Sequence, residues 1–311
     1  MATNALTAKS APIKKKKSKF GHTGFASFTM LAPWGILFII FMLIPVLAAM
    51  VLSFTYFDML NFPTFNGVDN YIRLLLDDDV FVISLKNTLI IAVVTGPAGY
   101  LASFVIAWCI NEFNRGWRSF LTLCFYAPTL SGSVYVIWNY IFSGDSYGLI
   151  NSLLIDLGFI STPIQFLTNT SYTMMVVIVV ILWQSTGAGF LTFVAGLQGL
   201  NHELAEAGAI DGIKNRWQEL IYITIPQMKP QLLLGAVFTI SGSFACGAVN
   251  AALTGNPSTD YSTHTILLHM DDYAFVRYEM GYACAIAIVL FAMMLAYWFL
   301  VNKVLARWNT D

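Results

Sequence analysis

Residues 201–230 form a motif-rich polar stretch between two long apolar runs, and its side chains supply charge, caps and a turn but no bond-making constellation. Glu203, Glu206, Asp211 and Arg216 supply charge, Ala207 sits beside Glu206, and Asp211-Gly212 has the composition of a turn. Asn201 is placed to cap one short helix, and Asn215 with Gln218 three residues later forms a variant capping box for a second. Ile213, Trp217, Leu220 and Ile221 recur at helical spacing and would pin that second helix beneath the apolar part, until Pro226 and Pro230 stop it. A second set of polar groups lies inside apolar sequence: Tyr135, Trp138 and Asn139, then Trp183 and Gln184, then Ser241, Ser243 and Asn250. Amides and hydroxyls satisfy sugar OH groups while Trp and Tyr faces cover sugar C–H surfaces, so this set suits a neutral, hydroxyl-rich solute. The same residue types also bond one helix to another or line the membrane interface, and both readings stand at this level.

No catalytic constellation accompanies these groups. His22, His202, His264 and His269 are dispersed, and two histidines five residues apart do not share a helical face as a metal pair needs. Cys109, Cys124, Cys246 and Cys284 fall singly in apolar runs and read as small core residues. Nothing resembles Gly-x-x-x-x-Gly-Lys-Ser/Thr, so the chain has no P-loop for ATP. The reading is therefore of a protein that is not an enzyme and holds neither metal nor cofactor.

The elements that must position these residues follow from composition. Of 311 residues, 57% are apolar and 11% charged, against about 25% charged in a soluble domain. So few charges cannot cover a soluble particle, and the chain belongs in a bilayer. Sixteen basic against seventeen acidic residues leave no broad basic face for nucleic acid. Six apolar runs reach membrane length, at 28–55, 87–110, 119–142, 172–196, 231–254 and 281–302. They predict an all-α, multi-pass membrane protein with both termini on one side. Thirteen of the sixteen basic residues, including the lysines of the 1–27 tail, fall on that side, which the positive-inside rule makes cytoplasmic. Arg73, Lys86 and Arg277 fall outside with eleven acidic residues. A signal peptide would account for a lysine-rich start, but the first run exceeds the length of its apolar region.

The runs as drawn contain no Asp, Glu, Lys, Arg or His, which argues against a proton relay or voltage sensor. Sodium coupling through backbone and hydroxyl oxygens stays open, so an ion-coupled secondary transporter is the alternative class. Pro45, Pro97 and Pro128 interrupt three runs, and Thr95-Gly96-Pro97-Ala98-Gly99 predicts a distortion, either beside a cavity or as a packing kink.

The 201–230 stretch resembles the EAA loop of membrane subunits in binding-protein-dependent ABC importers, most nearly the carbohydrate-type permeases related to the maltose system. That pattern is Glu-Ala-Ala, three residues, Gly with Asp before it, and an Ile-x-Leu-Pro-x-x-x-Pro ending. Here it reads Glu206-Ala207-Gly208, Asp211-Gly212 and Ile223-Thr224-Ile225-Pro226 with Pro230. Gly208 replaces the second Ala, Ile213 the usual small residue after Gly, and Ile225 the Leu before Pro. Leu253-Thr254-Gly255-Asn256-Pro257 and Gly281-Tyr282-Ala283-Cys284-Ala285-Ile286-Ala287 extend the likeness over 172–311, whereas the first half matches mainly in span spacing.

The resemblance implies a permease domain over 28–311 with a cytoplasmic coupling helix between the fourth and fifth spans, in a loop at about 197–230. Glu203, Glu206, Ala207, Asp211, Gly212 and Arg216 would couple to an ATPase, with Gly212 allowing close backbone approach and Glu206 making a charged contact at the rim. It further implies a second homologous permease, two ATP-binding subunits that hold ATP and Mg, an extracytoplasmic solute-binding protein, and residence in a bacterial or archaeal cell membrane. The solute implied is a carbohydrate, an oligosaccharide by preference, with another neutral small solute as the alternative.

Overall fold

The computed structural model describes residues 20–132 and 134–307, so the lysines of the basic tail at 1–19 lie outside the described residues. The described residues divide into two units, the first ending at Ala48 and the second beginning at Ala49. Most of the first unit's described part is the first span, an apolar helix exposed along its length from Ser27 to Leu52. A π-helical turn at Ile39–Leu43 precedes Pro45 in it. Proline has no N–H for the helical ladder, and the wider turn accommodates that missing donor.

In the larger unit, helices dominate; the described strands are the two-residue pair Thr55–Tyr56 and Thr64–Phe65. Together with the first span, five helices are long and apolar enough to cross a membrane: Ser27–Leu52, Asp79–Asn111, Thr170–Gln198, Lys229–Thr254 and Met280–Lys303. The expected third span is instead a pair, Arg115–Leu130 and Val134–Ile141, bent by 86°. Pro128 near the end of the first member and Ser131-Gly132 after it explain why no single helix runs through. Counted as one, the pair completes the six.

The second span starts at Asp79, eight residues before its expected start, because the Asp78 carboxylate caps it by accepting from the Phe81 N–H. It then runs as one helix through Pro97 to Asn111, so the distortion expected at Thr95–Gly99 does not interrupt it. Ser84, Thr88, Ala92, Thr95, Gly99 and Ser103 form a buried stripe at three- and four-residue spacing. Small residues let helices approach closely where lipid offers no hydrophobic drive. A Cβ at Gly99 would lie 2.9 Å from the Ser185 Cβ, and one at Gly235 would overlap the Phe193 ring.

The fourth and fifth spans were expected to be continuous. The fourth stops at Gln184 and restarts at Ala188; the fifth stops at Phe244 and restarts at Gly247. An unpaired backbone group in hydrocarbon costs several kcal/mol, so such breaks persist only against protein or a polar cavity. Hydroxyls supply part of the pairing: Ser103 Oγ donates to the Ser185 carbonyl at 3.0 Å, and Thr186 Oγ1 to the Phe125 carbonyl at 2.8 Å.

The cysteines behave unevenly. Cys246 is buried and Cys284 half-buried, but Cys109 and Cys124 are exposed, because an apolar side chain in a span can face lipid as readily as the core.

Candidate functional site

The helix breaks meet at one place. Leu130, Gln184 and Phe244 end helical segments in three different spans, and residues beside each break line a cavity of about 390 Å³. Thr129, Ser185, Gly187, Ala245 and Cys246 reach it from the breaks, and Thr95 from the unbroken second span. Thr239 and Gly242 complete the wall on the fifth span. No lining residue is Asp, Glu, Lys, Arg or His. The walls therefore offer hydroxyls, an amide, backbone and aromatic surface, which can pair with a neutral polyol but cannot neutralise an anion.

Of the eight residues proposed from sequence for a solute path, Tyr135, Gln184 and Ser243 line this cavity. Trp138 and Trp183 pack edge to face at 5.2 Å outside its lining. Asn139 Nδ2 donates to the Ala252 carbonyl at 2.9 Å. Ser241 is not in the wall, and Asn250 is fully buried, donating to the Thr263 carbonyl at 2.7 Å. None of those five lines the cavity. Sequence reasoning missed Thr95, Thr129, Ser185 and Thr239. The available signal was a hydroxyl beside glycine in Ser185-Thr186-Gly187, where a helix can open, whereas Thr95 sits in an unbroken helix.

The second candidate region is the 201–230 stretch, which folds as two helices. Asn201 Oδ1 accepts from the Glu203 N–H at 3.0 Å and opens the helix His202–Ile210. Asp211 follows as its C-cap, and Gly212 turns the chain at φ +103°. A Cβ at Gly212 would meet nothing within 4 Å, so within this chain the backbone conformation selects glycine, not close approach. Asn215 Oδ1 accepts from the Gln218 N–H at 2.8 Å, while Gln218 Oε1 reaches one residue past the N-cap and accepts from the Lys214 N–H at 2.9 Å. The close approach falls on Gly208. A Cβ there would lie 2.5 Å from Ile223 Cδ1 and 3.0 Å from Ile213 Cδ1, so Gly208 leaves room for both isoleucine side chains.

The second helix is pinned less broadly than its spacing suggests. Leu220 is buried and Trp217 leans on Trp108 at 5.1 Å, but Trp217 stays 63% and Ile221 55% exposed. Pro226 and Pro230 stand at the starts of helical segments and do not stop the chain. Glu206 lines a cleft of about 860 Å³ with Glu112, Arg115, Arg118 and Arg216. Arg216 pairs with Glu112 at 3.1 Å and Glu219 at 2.8 Å. The other face of the first helix, with Glu203, Ala207 and Ile210, is exposed, Ile210 at 88%.

A third polar cluster was invisible in sequence. His264 and His269, expected to be dispersed, come together with ring centroids 5.8 Å apart. His269 Nε2 lies 2.9 Å from Asp78 Oδ2, and the Tyr282 hydroxyl donates to the same oxygen at 2.7 Å. Burial alone would raise the Asp78 pKa, but hydrogen bonds from His269, Tyr282 and the Phe81 N–H outweigh it and hold the carboxyl well below the usual range. Burial, reinforced by the neighbouring His269, pushes His264 down to about 4. No group of three or more metal-ligating side chains occurs among the described residues.

No protein-family model matches the chain. It is 30% identical over 293 residues to the probable ABC transporter permease protein YesP of Bacillus subtilis (strain 168), covering 93% of each chain. It is 29% identical over 274 residues to the lactose transport system permease protein LacF of Rhizobium radiobacter, covering 85% of this chain and 88% of that one. Its fold is similar to a chain of a bacterial alginate ABC transporter crystallised with an alginate pentasaccharide-bound periplasmic protein. The TM-score is 0.74 at 22% identity, covering 93% of this chain and 96% of that one.

Proposed function

The chain belongs to the permease subunits of ABC transporters, and from that membership we propose that it is one transmembrane subunit of an ATP-driven importer for a neutral oligosaccharide. The observation that carries this reading is the uncharged cavity where three spans lose their helical continuity. Opened backbone at membrane depth is tolerated against protein or a polar cavity, and where it lines a cavity, as here, it suits a substrate passage. The lining suits sugar hydroxyls, and a relative is named for lactose. Alginate, in the name of the structural neighbour, is acidic; this cavity holds no cation for a uronate.

Energy and delivery come from other chains in this reading. The exposed face of the helix His202–Ile210, with Glu203, Ala207 and Ile210 beside the Asp211-Gly212 turn, is offered to one of two ATP-binding subunits. A second permease completes the passage, and an extracytoplasmic binding protein delivers the solute, as the periplasmic protein in the neighbour's crystal suggests. The basic loops lie in the cytoplasm with both termini.

The test is uptake by the reconstituted importer. Thr239→Trp puts an indole into a 390 Å³ cavity and is expected to reduce oligosaccharide uptake at least tenfold while the complex still assembles. Uptake at the parent rate would place the passage elsewhere. Neutral oligosaccharide should be carried and its uronate counterpart refused.

A further inference from the structure

We propose that Tyr135 and Gln184 form a latch across the cavity that the solute's own hydroxyls undo; this deepens the reading of the cavity as the solute path and rests on it. Gln184 Nε2 lies 3.0 Å from the Tyr135 hydroxyl, which in turn lies 3.2 Å from Gln184 Oε1. Both side chains are half-buried and both line the cavity. Their placement gives the pair leverage. Tyr135 is the second residue of the short helix Val134–Ile141 beyond the 86° bend, and Gln184 is the last helical residue before the break in the fourth span.

Among the described residues, three polar or aromatic ties join that short helix to the fourth and fifth spans. Trp138 packs on Trp183, Asn139 donates to the Ala252 carbonyl, and Tyr135 pairs with Gln184. Tyr135–Gln184 is the one of these three that lines the cavity, so it is the one within reach of a passing molecule.

The chemistry favours exchange. An amide presents a donor and an acceptor side by side, a tyrosine hydroxyl supplies both functions at one atom, and here the two groups pair with each other. A vicinal diol offers the same donor and acceptor and can replace either partner. Exchanging one neutral hydrogen-bonded pair for another changes the free energy little, because the net value of each is small. The solute is thus admitted without being trapped, as conduction requires. While it is bound, the short helix loses its cavity-side tie to the fourth span. Without solute the tie is restored and the passage stays shut to smaller neutral molecules.

The experiment uses the complete importer in proteoliposomes with Tyr135→Phe, Gln184→Leu and the double variant. The readouts are leak of radiolabelled erythritol without oligosaccharide, and oligosaccharide uptake with receptor and ATP. Each single variant should raise leak about two- to tenfold, the range one neutral hydrogen bond supports, and the double should leak no more than the larger single. Leak at the parent level in both singles, or single effects that multiply in the double, overturns the latch. Tyr135→Phe keeps the ring, so its result does not hinge on lost packing. Thr239→Trp separates the two ideas: normal uptake in that variant defeats the path itself, whereas blocked uptake with unchanged leak in the latch variants defeats only the latch.

Discussion

The loops 255–279 and 201–230 flank opposite ends of the fifth span and are built on opposite principles. In the first, Thr263, His264, Thr265, Ile266 and His269 are all at most 3% exposed. Its polar groups reach far along the chain: Asn87 donates to the Tyr261 and His264 carbonyls, Thr88 Oγ1 accepts from the Ile266 N–H, and Asp78 holds His269. Arg73 pairs with Glu279 and lies over the Tyr282 ring at 4.3 Å. In the second loop the caps are local and the ion pairs exposed, Arg216 at 64%. A loop whose hydrogen bonds are met internally keeps its outer face free for a partner, whereas one woven into four spans is part of the frame. The difference suggests which loop moves and which resists.

The sharpest way to break the comparison is at the free loop. Gly212→Trp should abolish transport and receptor-stimulated ATP hydrolysis while membrane insertion persists, and Gly212→Asn, which tolerates positive φ better, should retain part of both. If the Trp variant still hydrolyses ATP in response to receptor and sugar, this loop is not the docking element.

At the frame the expected effect is on stability. Asp78→Ala strands the buried His269 and Tyr282 groups and should cost about 2–5 kcal/mol, read from thermal unfolding of the solubilised complex. An unchanged melt would mean that water or relaxation replaces the carboxylate.

Acid tests the same frame through His264. Its folded pKa of about 4 lies below the ordinary 6.5, so the unfolded chain takes up a proton that the folded one refuses as pH falls from 6.5 to 4. Stability attributable to His264 is fully present above 6.5 and declines across that window by roughly 3 kcal/mol. Asp78, held below the carboxylate range, keeps its contribution through the window. His264→Gln should flatten the pH dependence of melting between 7 and 4; an undiminished slope assigns it to other groups.

The smallest effect belongs to the exposed pair. Arg216→Ala removes contacts to Glu112 and Glu219 and should change stability by less than about 1 kcal/mol, because solvent screens both. A loss as large as that of Asp78→Ala would erase the contrast between the loops.

Much of this was legible in the residues. Six apolar runs, their charge asymmetry and both caps of the 201–230 stretch rest on neighbours within one or two helical turns, and such local rules leave their pattern in sequence. The two helices therefore stand where Asn201 and Asn215 put them. Apolar periodicity cannot tell lipid from protein, which is why Cys109 and Cys124 are exposed where a core was expected.

What the tertiary structure alone decided lies where distant segments converge. Tyr135 and Gln184 are 49 residues apart, and Asp78 meets His269 across 191. Hydropathy also cannot register a helix that stops for three residues and resumes, since Gln184-Ser185-Thr186-Gly187 is short and lies within an apolar run. Whether such a segment stays helical depends on what can receive its freed carbonyls. Here that is decided by Ser103 on another span and by a cavity that no single span contains.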